Sequence, residues 1–178
     1  WEAGAGPADL VAIARAAEAH GFDYLASCDH VAIPRRLAGP MSTVWYDPVA
    51  TLSYLAAATE RVRLLSHVAV VGLRHPLVTA KAYATLDHLS DGRFMLGLGT
   101  SGPQVSEGWH GVRFGRQLQR TREYVDVVRL ALRRERLEYH GETLELPLPD
   151  GPGKALKLTI GPIQERIPVF LAAIGPRN

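Results

Sequence analysis

The feature that most constrains this fold is a regular alternation of helical segments with short, almost wholly apolar runs. The apolar runs lie at Phe22–Cys28, Val62–Val71, Arg93–Leu98 and Ile167–Ala173. Continuous apolar runs of this kind are typical of strands covered on both faces, as in parallel sheets. Because a helical pattern separates each run from the next, we expect parallel β/α units that close as a barrel or open as a doubly wound sheet.

Proline, aspartate and glycine mark where the predicted helices begin and end. Pro7 suits a first helical position, and Asp47 is expected to cap a helix that begins at Pro48. Two further helices are expected at Pro76–Ser90 and at about Leu118–Arg134, after a first helix at Pro7–His20.

The alternation breaks between residues 137 and 165. Leu137–His140 and Thr143–Leu146 predict a small hairpin that turns at Gly141, and Lys154–Ile160 predicts another short strand. We therefore expect a hairpin-like insertion at about 137–165.

Composition narrows the function classes. The sequence has 20 basic and 18 acidic residues among 178, a net charge of +2, so it predicts neither a nucleic-acid nor a membrane partner. Its longest apolar stretches are far shorter than the ~20 residues that span a bilayer. The single cysteine, Cys28, excludes an internal disulfide framework. We expect a cytoplasmic protein.

The best candidates for acid/base catalysis directly follow the first apolar run. Ligands of both possible folds bind at the carboxyl ends of the strands, where Asp29 and His30 lie. Histidine titrates near neutral pH, and an adjacent carboxylate can orient it. The alternative is that Asp29 caps backbone amides and that His30 is an ordinary exposed side chain.

A glycine pattern follows the third run. Gly97, Gly99 and Gly102 formally match a dinucleotide-binding fingerprint, but that motif needs a helix opening at its last glycine. Pro103 follows instead, and the next helical pattern begins only near Leu118. The glycines therefore indicate either a tight strand exit or the close approach of a flat ligand.

The remaining reactive side chains predict no metal site. His67 lies within an apolar strand and is expected to be a buried histidine, and the charge of Asp29 disfavours a thiolate at Cys28. A metal site assembled from Asp29, His30 and His67 is the alternative.

Four stretches of the sequence resemble a known superfamily or one of its branches. The run Leu86-Asp87-His88-Leu89-Ser90-Asp91-Gly92-Arg93 and the upstream Arg74-His75-Pro76-Leu77 are similar to the signature of the bacterial luciferase-like monooxygenases. Ser101–Trp109 and Arg120–Tyr124 resemble the branch of coenzyme F420-dependent oxidoreductases. The resemblance implies a (β/α)8 TIM barrel of which residues 1–178 form a single partial domain, roughly the N-terminal half with strands two to five. We expect the chain to be a fragment, or to need a partner that completes the barrel.

The resemblance also implies an activity. Members of this branch transfer a hydride between the reduced deazaflavin F420 and a small organic substrate, and we expect a homodimer. The first alternative is an FMNH2-dependent, two-component monooxygenase. A metal-dependent barrel hydrolase and a non-catalytic paralogue are further alternatives.

The resemblance assigns roles to particular positions. His30 is the expected general acid/base or substrate-orienting group, and a non-proline cis peptide is expected at His67-Val68. Sugar-phosphate dehydrogenases of the superfamily carry a glutamate where Gly102 stands, so their substrate is not inferred. The expected cofactor-binding residues are Asp29, His67, Val68, Gly99, Thr100, Ser101, Ala173, Ile174 and Gly175.

Overall fold

The computed structural model describes residues 4–39, 41 and 44–173. Its helices are α1 (Pro7–Ala19), α2 (Pro48–Ala56), α3 (Pro76–Leu89), α4 (Pro103–Ser106) and α5 (Gln117–Leu132). Its strands are β1 (Tyr24–Ser27), β2 (Arg63–Ser66), β3 (Ala69–Val70), β4 (Phe94–Gly99), β5 (Tyr139–His140), β6 (Glu145–Leu146) and β7 (Val169–Leu171). No helix in the described ranges has the length and apolar content needed to cross a membrane.

Five of these strands form one parallel sheet. β1 pairs with β2, β2 and β3 pair with successive halves of β4, and β7 pairs with β4 on its other side. Helices connect β1 to β2, β3 to β4 and β4 to β7, which confirms the expected β/α units. Over the described residues the sheet is open, so the full barrel is not seen.

The hydrophobic core lies between one face of this sheet and the helices. Tyr83 of α3 stacks on Phe94 of β4 with ring centroids 4.6 Å apart, and both side chains are fully buried. Burying aromatic side chains of this size contributes about 1.5–3 kcal/mol each. The opposite face carries Tyr24 and Phe170, which are half exposed. Strand alternation therefore separates a covered face from an open one.

Three sequence expectations need correction. The strand expected over Val62–Val71 is divided into β2 and β3, with His67 and Val68 between them. No strand forms at Lys154–Ile160, where a single backbone hydrogen bond, from Leu137 to Leu156, links the segment to the end of α5. A one-turn helix, α4, begins directly after Gly102, because Gly102 has the extended backbone of an N-cap and Pro103 suits the first position. The hairpin of β5 and β6 is confirmed.

The turn before β4 fastens the amino-terminal edge of the sheet. Asp87 is fully buried and accepts hydrogen bonds from the amides of Ile163 and Gln164, at 2.8 and 3.0 Å. Arg93 donates to the carbonyl groups of Ala56, Thr59 and Val62. The run from Leu86 to Arg93 therefore stabilises the amino-terminal edge of the sheet. A ligand is expected at the opposite edge, where the strands have their carboxyl ends.

Candidate functional site

The carboxyl ends of the parallel strands meet at one edge, where the chain places most of the predicted site residues. β1 is followed by Asp29 and His30, β2 by His67, and β4 by Thr100 and Ser101. Ala173 lies two residues beyond β7. Ile174 and Gly175, the other two predicted contacts, lie outside the described residues.

Asp29 is held by an ion pair. Its side chain is only 2% exposed, and its carboxylate accepts hydrogen bonds from the Val70 amide at 3.0 Å and from both terminal nitrogens of Arg74. Arg74 also binds Asp47 at 2.6 Å, while Asp47 caps α2 through the amides of Val49 and Ala50. These hydrogen bonds, first of all those to Asp29, raise the pKa of the Arg74 guanidinium above its usual range. The cluster therefore ties β1, β3 and the start of α2 together.

His30 turns away from this cluster and is exposed. Its imidazole lies against the indole of Trp45, with ring centroids 4.4 Å apart and a tilt of 59° between the planes. Asp29 and His30 thus separate into a buried, paired carboxylate and an accessible imidazole, as expected for neighbours that point to opposite sides. An accessible imidazole beside an aromatic ring is able to exchange protons with a bound small molecule.

The peptide bond between His67 and Val68 is cis, which confirms the sequence prediction. The Val68 side chain lies against Gly99, where an added Cβ would overlap its Cγ2 atom. A Cβ at Gly97 would overlap the carbonyl oxygen of Ser66, whose hydroxyl group donates to the Gly97 carbonyl at 3.0 Å. These two glycines therefore make room for the neighbouring strand.

Two open cavities border these residues. One, of about 400 Å³, lies on the open face of the sheet and is lined by His67, Val68, Gly97 and Phe170. The other, of about 640 Å³, lies between β4, β7 and α5 and is lined by Gly99, Thr100 and Ala173. His67 is exposed, which corrects the expectation of a buried histidine, because the residue follows β2 where the strand pairing is interrupted.

The other reactive side chains play smaller parts. Burial raises the pKa of the Cys28 thiol, so burial rather than the charge of Asp29 disfavours its thiolate. Across the described residues, no three histidine, cysteine, aspartate or glutamate side chains come together as a possible metal site. Asp29, His30 and His67 therefore do not form the metal-binding set considered as an alternative.

Comparison with known proteins decides the family. A family model described as luciferase-like monooxygenase matches residues 2–178. The chain belongs to the luciferase-like monooxygenase family.

Two known relatives illustrate what this luciferase-like chain is similar to. A Mycobacterium tuberculosis protein, named as a proposed coenzyme F420-dependent oxidoreductase, is 47% identical over 137 residues, which are 74% of this chain and 40% of that protein. The F420-dependent glucose-6-phosphate dehydrogenase of Nocardia farcinica is 32% identical over 181 residues, covering 96% of this chain and 49% of the dehydrogenase. The chain thus spans less than half the length of both relatives.

A solved structure supports the fold of this luciferase-like chain. The structure of an F420-dependent secondary alcohol dehydrogenase, in complex with an F420-acetone adduct, superposes with a TM-score of 0.80 at 20% identity. The superposition covers 97% of this chain and 50% of the dehydrogenase chain. The parallel α/β fold of this chain is therefore shared with that dehydrogenase.

Three residues of this luciferase-like site were missed at the level of sequence. Arg74 lies in a recognised motif, but no local signal shows that it binds two carboxylates far away in the chain. Trp45 contacts His30 from a position 15 residues further along the chain, outside any helix or strand. Glu123 is fully buried in α5 and accepts hydrogen bonds from Gln119 and Thr143, although helical periodicity alone would leave a glutamate exposed.

Glu123 fastens the hairpin to α5. It accepts hydrogen bonds from the amides of Glu142, Thr143 and Leu144 at 2.8–3.0 Å, and from the Thr143 hydroxyl group at 2.6 Å. Burial by itself would raise the pKa of Glu123, but these bonds and the one from Gln119 lower it to about 2. A Cβ at Gly141 would lie 2.5 Å from the Glu123 carboxylate, so the turn needs glycine there.

Proposed function

We propose that this chain is part of an F420-dependent, luciferase-like oxidoreductase that transfers a hydride between the deazaflavin and a small organic substrate. The observation that carries the proposal is the 47% identity to a relative named for coenzyme F420-dependent oxidoreduction. In the complete enzyme the parallel sheet would form part of a (β/α)8 barrel.

The residues at the strand edge suit a flat, partly apolar cofactor. The 400 Å³ cavity runs along the open face of the sheet from Tyr24 to this edge, and the 640 Å³ cavity reaches the edge from the side of α5. Val68, Gly99 and Ala173 line them at the edge and give flat, small or aliphatic contact surfaces, with the Thr100 hydroxyl group nearby. Bound F420 would supply the hydride donor or acceptor. Among the predicted contacts, His67, Val68, Gly99, Thr100, Ser101 and Ala173 are available to hold it, and Ile174 and Gly175 are proposed from the resemblance alone.

The proposed role of Asp29 is more specific than a contact with the ring. Its oxygens are occupied by Arg74 and the Val70 amide, so it would act on the site by fixing the backbone that follows His67-Val68. His30 is the proposed acid/base group. It would accept the proton that an alcohol loses when its carbon gives up a hydride, or return that proton in the reverse direction.

A binding titration tests the cofactor. F420 added to the purified protein is expected to bind at least about tenfold more tightly than FMN, as measured by quenching of cofactor fluorescence. Binding of reduced FMN without affinity for F420 would overturn the proposal in favour of the two-component monooxygenase. The expected homodimer and cytoplasmic location stay predictions.

The acid/base role has its own test. The His30→Gln variant is expected to bind F420 within about twofold of wild type but to lose turnover by about 10²–10⁴-fold, because the proton has no carrier. Replacement of the exposed His20 by Gln is the matched control. Full activity in the His30 variant would contradict this role.

A further inference from the structure

A third cavity, of about 300 Å³, lies beside the strand edge at which we propose that the cofactor binds. It is bounded by the start of α3, the segment between α4 and α5, the first turns of α5 and the hairpin. Arg113, Gln117, Arg120 and Thr143 line it, and Thr100 forms part of its wall as well as part of the wall of the 640 Å³ cavity. The two cavities therefore adjoin at the end of β4.

The lining of this cavity is positively charged. None of its lining residues is acidic. Arg113 and Arg120 form no ion pair within the described part of the chain, whereas Arg74, which also lines the cavity, is bound to Asp29 and Asp47. Two guanidinium groups thus face a space without any counter-charge.

One of these groups is left with an unsatisfied donor. The Nε atom of Arg120 is buried and has no hydrogen-bond partner. Buried polar atoms of proteins are nearly always paired, because an unpaired donor loses its hydration without compensation. Because this Nε atom is shielded from the cavity, a ligand there would meet the terminal nitrogens of Arg120 instead, and planar guanidinium groups match phosphate and carboxylate oxygens in geometry as well as charge.

The uncharged residues that line the cavity do not oppose the binding of an anion. Tyr124 lines the cavity, but its hydroxyl group is already paired with Thr79 at 2.5 Å, and burial raises its pKa to about 12. It therefore adds no negative charge at neutral pH. The amide of Gln117 is a further donor without a partner among the described side chains and faces the same space.

We propose that this cavity is an anion subsite that receives a phosphate or carboxylate group of a ligand bound at the strand edge. The link to a cofactor or its substrate rests on the proposed function, since Thr100 joins the two cavities. The anion-binding property itself depends only on Arg113 and Arg120.

Titration calorimetry with inorganic phosphate tests the subsite, with acetate as the carboxylate probe. Wild type is expected to bind at least one of them saturably, and Arg113→Gln and Arg120→Gln are each expected to weaken that binding by at least about tenfold. Arg136→Gln removes the same charge from an exposed position outside the cavity and is expected to change it by less than about twofold. Arg113 is exposed, so its variant remains informative if Arg120→Gln does not fold. Absence of saturable binding, or equal loss in all three variants, would overturn the proposal.

A second titration identifies which ligand carries the anion. If the cofactor carries it, the saturating anion weakens F420 binding in wild type and has no such effect in Arg113→Gln. If the substrate carries it, F420 binding is unchanged and the anion inhibits turnover in competition with the substrate. The anion that binds in the first titration is the one used here, and if it changes neither F420 binding nor turnover the proposal is contradicted. Failure of F420 to bind at all would defeat the proposed function, while the phosphate titration would still decide the subsite.

Discussion

Arg74 donates hydrogen bonds to both carboxylate oxygens of Asp29, the residue next to His30. The same guanidinium binds Asp47, so a single side chain neutralises a buried carboxylate and fixes the residue that caps α2. The strand end that presents His30 therefore depends on an interaction made 44 residues further along the chain at Arg74.

Replacing Arg74 by Met should destabilise the protein by about 3 kcal/mol, because Asp29 would remain buried without a partner. Urea denaturation measures this change. Replacement of both residues, as Asp29→Asn with Arg74→Met, should lose less stability than the single variant, since no buried charge is left unpaired. A single variant within about 0.5 kcal/mol of wild type would contradict a stabilising role for the pair.

The contact between Glu123 and the β5–β6 hairpin makes the free energy of unfolding depend on pH in the acid range. The folded state lowers the pKa of Glu123 from an ordinary value near 4.5 to about 2. The resulting stabilisation is complete above pH 4.5 and is lost as the pH falls towards 2, by about 3 kcal/mol in total. The free energy of unfolding, measured from pH 6 to pH 2, should therefore fall less steeply in Glu123→Gln. The exposed Glu138→Gln is the control and should retain the wild-type slope.

Gly99 should not tolerate a side chain. In Gly99→Ala the new methyl group would overlap Val68 and should lower the free energy of unfolding by about 1–3 kcal/mol. F420 binding should also weaken, because Val68 lines the cavity at the strand edge where the cofactor is proposed to bind. Gly102→Ala has no atom within 4 Å of the new Cβ and should cost only about 0.5 kcal/mol, because alanine is a poorer N-cap than glycine. Adding Val68→Ala to Gly99→Ala should restore part of the lost stability. Equal effects at the two glycines would show that Val68 does not limit the space.

The aromatic contact predicts a position-specific effect on turnover. Trp45→Phe keeps a ring beside His30 and should retain most of the activity. Trp45→Ala removes it and should lower kcat/KM by up to about tenfold, the equivalent of the 0.5–1.5 kcal/mol that such a pair contributes. Steady-state kinetics across a pH series would measure both effects. An unchanged pH profile and kcat/KM in Trp45→Ala would mean that the indole does not position the imidazole.

Elements whose signals are local could be predicted from the sequence. Asp47 and Pro48 predict the start of α2, and apolar runs predict the strands of the parallel sheet, because capping and burial act on neighbouring residues. The one-turn α4 was missed because a four-residue helix is too short to show periodicity. Lys154–Ile160 has the composition of a strand but no strand to pair with among the described residues.

Site residues were predictable to the extent that they follow a strand. His30 and Thr100 lie at the carboxyl ends of β1 and β4, as the parallel topology requires. Arg74, Trp45 and Arg120 were not assigned roles, because each acts through contacts between segments that are distant in sequence. The run from Leu86 to Arg93 identifies the family, yet its buried Asp87 and its Arg93 hold the opposite edge of the sheet together.

The most direct test of the central claim is a crystal structure of the protein with F420 bound. We expect the deazaflavin ring in contact with His67, Val68 and Gly99, with the His30 imidazole on the substrate side of the ring. A ring bound away from these strand ends, or a strand edge that stays empty at saturating F420, would contradict it.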